Sequence, residues 1–288
     1  MPSPQSVAPT DDLSILACLA LSPRARAVAG EAAHIANKLG ARLTFVHAGH
    51  DTPEVRKKLE DAIAGLQLTT APTLRVVQGK PDKVVQDLAT QLNPTLVVAG
   101  ALEKEGFIEG FFGSIARRIV RRVPSSVVLL TEPEAQGNPL QRIVICTRLD
   151  DASHRMTGFA LNLARRAGAQ HITVVHESDY FSRLALRYSD TSLEQRDEQR
   201  RLWRNDVLHQ MSSSLEAYDL GGFELSLEVL EGSEGLESVE LAKSLSADLL
   251  VYPAPSRPLS FWDRFFHHPA EVVMDRLPCA VLIHRDTA

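Results

Sequence analysis

This 288-residue chain has no long apolar run, only three cysteines and no excess of basic charge, and each shortage excludes a class of protein. No apolar run reaches the roughly 18 residues that a membrane-spanning helix needs. Stretches such as Ser126 to Leu130 and Asp248 to Tyr252 have only the length of strands. The three cysteines, Cys18, Cys146 and Cys279, are too few and too far apart for a disulfide framework or a CxxC metal knuckle. Cys18 and Cys146 lie in apolar runs and read as small buried hydrophobes. The 31 basic side chains are outnumbered by 36 acidic ones, so the net charge of −5 argues against a general nucleic-acid binder. Met1 to Asp12 has neither the basic start nor the apolar stretch of a signal peptide, so a cytoplasmic location is expected.

What is present is the composition of a folded protein: 44% hydrophobic and 23% charged residues exclude wholesale disorder. Length alone allows two domains without requiring them. Self-similarity decides the question. Ile15-Leu16-Ala17-Cys18 matches Ile143-Val144-Ile145-Cys146, and Gly40-Ala41 matches Gly168-Ala169, both at an offset of 128. Leu43 to His47 matches Ile172 to His176 with one residue inserted. Leu74 to Gly79 matches Leu227 to Gly232, and Leu96 to Val98 matches Leu249 to Val251, at an offset of 153. Pro124 to Val127 matches Pro278 to Val281 at 154. Matches in one order along the chain mark a tandem duplication, with domains expected at 1–136 and 137–288. The extra length of the second copy falls in Ser178 to Leu220. There Leu202, Val207, Leu208, Met211 and Leu215 recur at helical spacing, which predicts a long amphipathic helix with a charged, solvated face. A partner-binding arm is the other reading of that charge.

Within the first copy, strands are predicted near 14–20, 42–48, 72–78, 95–100 and 126–131. Helices are predicted near 24–39, 52–66, 82–92 and 113–123, the first ending at Gly40 as a C-cap. Strict alternation implies right-handed crossovers and a parallel sheet covered on both faces. Glu132 to Pro139, with its prolines and glycine, reads as the connection between the copies.

In such sheets ligands bind beyond the carboxyl ends of the strands. Gly100 follows a strand, and Gly113-Ser114 opens a helix after an intervening loop. Free N–H groups, a hydroxyl and the positive end of a helix dipole make a reasonable phosphate cradle there. Plain helix capping is the simpler reading. Gly79-Lys80 lacks the earlier glycine and following Ser/Thr of a P-loop, and no G-x-S-x-G elbow is present.

The order of elements and the ends of both copies resemble the universal stress protein family in its tandem form, from about Leu13 to Arg285. The resemblance implies two Rossmann-like α/β domains, each a five-stranded parallel sheet with helices on both faces. ATP-binding members carry Gly, two residues, Gly, nine residues, then Gly-Ser or Gly-Thr after the fourth strand. Gly100, Gly113 and Ser114 stand at matching positions, which implies ATP as a cofactor of the first domain. Glu103 replaces the middle glycine, adding a β-carbon and a charge that repels phosphate. Ala20 stands where the family commonly has a nucleoside-contacting aspartate. The second domain departs further, with Pro253 at the position of Gly100, His267-His268 at the Gly-Ser pair and Arg148 at the aspartate position. Its nucleotide site reads as degenerate.

Other groupings read as structural. His267 and His268, with Asp263, could suggest a metal, but adjacent histidines cannot easily both ligate one ion and no third ligand has diagnostic spacing, so no metal is expected. His47 and His176 end equivalent strands and share a structural position. Arg117, Arg118, Arg121 and Arg122 complement a helix C-terminus and pair with acids, anion binding being the alternative. Phe107, Phe111 and Phe112, with Phe261, Trp262, Phe265 and Phe266, place aromatics in the same loop of both copies, as anchors or as an apolar binding surface. The expected function is that of a non-enzymatic stress-response and signalling protein that binds a partner or ligand. Competing readings are an ATP-binding switch or slow ATPase using Gly100, Gly113 and Ser114, and a binder of a small apolar ligand. The resemblance also implies pairing through last strands, either within the chain, Ser126 to Thr131 against Ala280 to His284, or in a homodimer. Charge divides unevenly: residues 1–136 hold 15 basic and 14 acidic side chains, the remainder 16 and 22.

Overall fold

The structure is a computed structural model and describes residues 13–101, 114–179, 192–254 and 269–286. The first half runs β1 (Ser14–Cys18), α1 (Ala25–Leu39), β2 (Arg42–Ala48), α2 (Pro53–Ile63), β3 (Thr73–Val77), α3 (Pro81–Leu92), β4 (Leu96–Gly100), α4 (Ser114–Arg122) and β5 (Ser126–Leu130). The second runs β6 (Arg142–Thr147), α5 (Asp151–Ala167), β7 (His171–Ser178), α6 (Leu193–Leu215), β8 (Glu224–Glu231), α7 (Leu236–Ser244), β9 (Leu249–Pro253), α8 (Pro269–Asp275) and β10 (Ala280–His284). First-half elements begin and end within three residues of the predicted spans. Local chemistry explains the agreement. Gly40 and Gly168 adopt left-handed φ values of 64° and 77°, and their N–H groups close α1 and α5 on equivalent carbonyls. Thr52 caps α2, its hydroxyl accepting the Val55 N–H at 3.3 Å, with Pro53 in the first helical position.

Each half supplies a five-stranded parallel sheet, as expected, and the two are continuous. All ten strands join one sheet in the order β3-β2-β1-β4-β5-β10-β9-β6-β7-β8. Neighbours are parallel within each half, while β5 and β10 run antiparallel. β5 is buried along its whole length, so leaving it as a free edge would expose apolar side chains and unpaired backbone groups. Pairing with β10 removes both problems within one chain, in the arrangement expected for Ser126 to Thr131 and Ala280 to His284. The register centres on Val128 opposite Leu282, with Val127 facing Ile283 and Leu129 facing Val281. Val128 and Leu282 are repeat-equivalent, so an approximate twofold axis passes between them.

Each face of the sheet carries one apolar core, and both cores cross the junction. One packs α1, α2, α5 and α6 over residues such as Phe45, Val128, Ile145 and Leu282. The other packs α3, α4, α7 and α8 over Leu16, Val97, Leu129, Leu250 and Ile283. Helix α6 begins in a capping box between Ser192 and Gln195 and buries Val207, Met211 and Leu215. Leu202, expected on its apolar side, is exposed instead. At that level the face toward the sheet carries Arg200, bonded to Glu231, and Arg204, bonded to the Val229 carbonyl.

The connection between the halves is fastened to α1. Glu31, only 2% exposed, accepts the N–H groups of Glu134 at 3.3 Å and Asn138 at 2.9 Å, and the Asn138 amide at 3.1 Å. Gly30 makes this approach sterically feasible, because a β-carbon there would lie 2.1 Å from the Ala135 carbonyl oxygen. Gly30→Leu is therefore expected to lower stability by about 2 kcal/mol, read as an earlier urea midpoint. An unchanged midpoint would show that the connection is not held here.

Candidate functional site

Within each half the strand order reverses between the first and fourth strands, β1 and β4 or β6 and β9. The crevice beyond their carboxyl ends is where an open α/β sheet receives ligands. The two crevices are built from equivalent backbone positions but filled differently. In the first, β1 ends in Cys18 and leads to Leu19 and Ala20, β2 ends in Ala48, and β4 ends in Ala99 and Gly100. Backbone bonds hold this floor in place: Leu19 N–H donates to the Val46 carbonyl at 2.8 Å, and Ala101 N–H to that of Leu130 at 2.7 Å. A β-carbon on Gly100 would approach Val28 Cγ2 to 3.1 Å, tighter than side chains usually pack. Burial pushes the Cys18 thiol up to about 12, so it stays protonated.

The equivalents in the second half are Cys146, Thr147, Arg148, Glu177, Tyr252 and Pro253. With Glu234 they line a small, open recess. Glu177 reaches the start of α7, where its two oxygens accept the N–H groups of Gly235 at 2.8 Å and Ser238 at 2.5 Å. The Tyr252 hydroxyl donates to the same carboxylate at 3.4 Å. A protein carboxylate thus takes the position at a helix N-terminus that suits an external anion. Burial pushes the Glu177 carboxyl up, while the N–H donors pull it down. Desolvation and the nearby Glu177 charge raise Cys146 and Tyr252, keeping both protonated.

Of the phosphate-loop residues expected from the sequence, Gly100 closes β4 and Ser114 is the first residue of α4. Gly113 and Glu103 lie outside the described residues. So do Phe107, Phe111, Phe112, Phe261, Trp262, Asp263, Phe265, Phe266, His267 and His268. His47 and His176 make the same bond in both halves: the Nδ1 position of each lies 2.8 and 2.9 Å from the carbonyls of Leu19 and Thr147, ending the first strand. The ring therefore serves as a strand tie, as the repeated position implied. Asp150, beyond Arg148, caps α5 by accepting the Ser153 N–H at 2.7 Å. The four α4 arginines find acids, Arg118 and Arg122 at the buried Asp82 and Arg117 and Arg121 at Glu271. Glu177 and Tyr252 escaped the sequence reading. Comparing them at the repeat offsets with Ala48 and Ala99 would have exposed both.

Among the described residues no group of three or more His, Cys, Asp or Glu side chains can hold a metal ion. No described helix is long and apolar enough to cross a membrane. No curated protein matches the chain. Among solved structures, a universal stress protein from Archaeoglobus fulgidus DSM 4304 superposes with a TM-score of 0.62 at 13% identity, covering 94% of this chain and 98% of that one. A functionally unknown protein from Pseudomonas aeruginosa PAO1 gives 0.66 at 14% identity, covering 95% and 92%. At such identities these likenesses speak for the fold. The sequence profile of the universal stress protein family matches twice, over residues 14–131 and 139–285. With the duplicated strand order and the paired crevices, that double match makes the chain a tandem member of the universal stress protein family.

Proposed function

We propose that this protein serves stress response or signalling in the cytoplasm by binding rather than by catalysis. Its domains would span 1–136 and 137–288, with the first-domain crevice as the ligand site. The observation that carries this reading is the contrast at equivalent positions: Ala20, Ala48, Ala99 and Gly100 in one crevice, Arg148, Glu177, Tyr252 and Pro253 in the other. The first crevice is lined by small side chains, whereas the second holds its own carboxylate and phenol. Protonated thiols and histidines committed to backbone carbonyls support binding over nucleophilic chemistry.

ATP is the ligand to test, with Gly100, Gly113 and Ser114 as its phosphate-holding residues. Gly100 and the acid-free first turn of α4 suit that role. The second crevice does not fit, since Glu177 would repel phosphate from the start of α7. Native mass spectrometry of the purified protein, followed by calorimetry with ATP and magnesium, tests the reading. The expected dissociation constant is tighter than about 1 mM, roughly −4 kcal/mol. Ala48→Glu is expected to weaken ATP at least about tenfold, while Glu177→Ala leaves it unchanged. Absence of both ATP binding and any co-purifying molecule would sink the proposal, and a retained apolar molecule would favour an apolar-ligand binder instead.

A further inference from the structure

Helices α4 and α8 flank the junction on the same face of the sheet and are repeat-equivalent. Their apolar positions agree: Ala116 and Ala270, Ile119 and Val273, and Val120 and Met274 are all buried. Their charged positions are inverted. Arg117 corresponds to Glu271 and Arg121 to Asp275, at the offset of 154 that also relates Pro124 to Pro278. These residues meet across the junction. Arg121 donates through Nε and Nη2 to Glu271 Oε1 at 2.9 and 2.7 Å. Arg117 lies 3.6 Å from Glu271 and bonds Asp275. The Glu271 side chain is only 7% exposed and those of Arg117 and Arg121 about a fifth, so solvent screens these three poorly, while Asp275 at 42% forms the exposed end of the cluster.

The approximate twofold axis gives the inversion its meaning. In a twofold pairing contacts are reciprocal, so Arg117 with Asp275 mirrors Arg121 with Glu271, and the equivalent residues Arg117 and Glu271 lie nearest the axis. Two copies of the first half joined this way would bring Arg117 and Arg121 against the same two arginines. Two copies of the second half would bring Glu271 and Asp275 together. The facing strand residues Val127 to Leu129 and Val281 to Ile283 are all aliphatic and do not discriminate, while at the strand end Ser126 exchanges hydrogen bonds with the Arg285 backbone at 3.1 and 3.4 Å. The apolar matching alone would permit like-with-like assembly, and the charges of α4 and α8 oppose it.

We propose that Arg117, Arg121, Glu271 and Asp275 form a charge code that selects the partner of this edge. The α4–β5 edge accepts the acid-bearing α8–β10 edge of the tandem chain and rejects the α4–β5 edge of a second copy. Closure within the chain is thereby favoured over pairing with other chains, because like charges brought together at a buried site suppress the wrong partner. The code also accounts for part of the uneven division of charge between the halves.

Charge reversal in the full-length chain tests the code. One variant carries Arg117→Glu with Arg121→Glu, a second Glu271→Arg with Asp275→Arg, and a third all four changes. Amide exchange is followed at Val127 to Leu129 and Val281 to Ile283. Each double variant is expected to exchange there on the order of a hundredfold faster, as breaking buried ion pairs predicts. The fourfold variant, with signs exchanged but complementary, should return to within about threefold of the parent, the coupling that such cycles isolate. Double variants that fail to fold beside a fourfold variant that folds would support the code equally. Double variants indistinguishable from the parent, or a fourfold variant no better protected than the doubles, would overturn it.

Discussion

Replacing Leu282 by aspartate is expected to remove about 4 kcal/mol of stability and to unfold both halves in one transition. Leu282 is fully buried in the central pair of the sheet, opposite Val128. Aspartate there deletes a leucine from a core and leaves a carboxylate without a partner, two of the mechanisms behind exceptionally large losses. Cooperativity follows from the cores. Each includes side chains from both halves, with Val128 and Leu282 in one and Leu129 and Ile283 in the other. Opening the junction therefore exposes apolar surface on both sides of both halves at once. Calorimetry should show a single endotherm in the parent protein and a single, lower one in Leu282→Asp. Two resolved endotherms in the parent would refute the shared-core account.

Acid is expected to destabilise the protein through His284. Burial pushes this histidine down to about 4 from an ordinary 6.5, an effect that nearby Asp286 opposes and Arg155 reinforces. Its ring packs 5.0 Å from that of Phe159. Between those values the unfolded chain binds a proton that the folded chain refuses, so stability rises with pH. Its contribution is fully present above about pH 6.5 and is lost as pH falls toward 4, by about 2–3 kcal/mol in all. His34, lowered chiefly by its own burial, acts in the same direction. Glu31 and Glu177 act oppositely, because burial raises them and their stabilisation declines as pH rises past the ordinary carboxylate range. His284→Phe isolates the histidine while preserving the aromatic contact. Urea midpoints from pH 4 to 7 should rise less steeply in that variant than in the parent. Equal slopes would remove His284 from the account.

Local signals made much of the fold legible. Gly40 and Gly168 close equivalent helices because only a residue tolerant of positive φ caps a helix in that way, and glycine at a repeated offset is visible in any sequence. Leu96 to Ala99 and Val127 to Leu130 declared themselves as interior parallel strands by being apolar throughout. His47 and His176 were readable as structural from repetition alone. Glu177 was not, since nothing near it in sequence shows that its carboxylate reaches Gly235 and Ser238 around 60 residues away. Leu202 misled for a different reason: at ~100° per residue it lies on the opposite side of α6 from Met211, so it faces solvent while Arg200 and Arg204 reach the sheet.

What the sequence determined by itself was the duplication, the alternation of strand and helix, and the parallel sheet that this alternation implies. Those depend on short-range patterning and on crossovers whose hand is physically constrained. Tertiary structure alone decided that the last strands pair within the chain, that Val128 meets Leu282, and that Arg117 and Arg121 meet Glu271 and Asp275. Joining β5 to β10 is possible in many registers as far as hydrogen bonds are concerned. The register adopted is the one in which the twofold relation of the halves brings opposite charges together and lets each core continue across the junction.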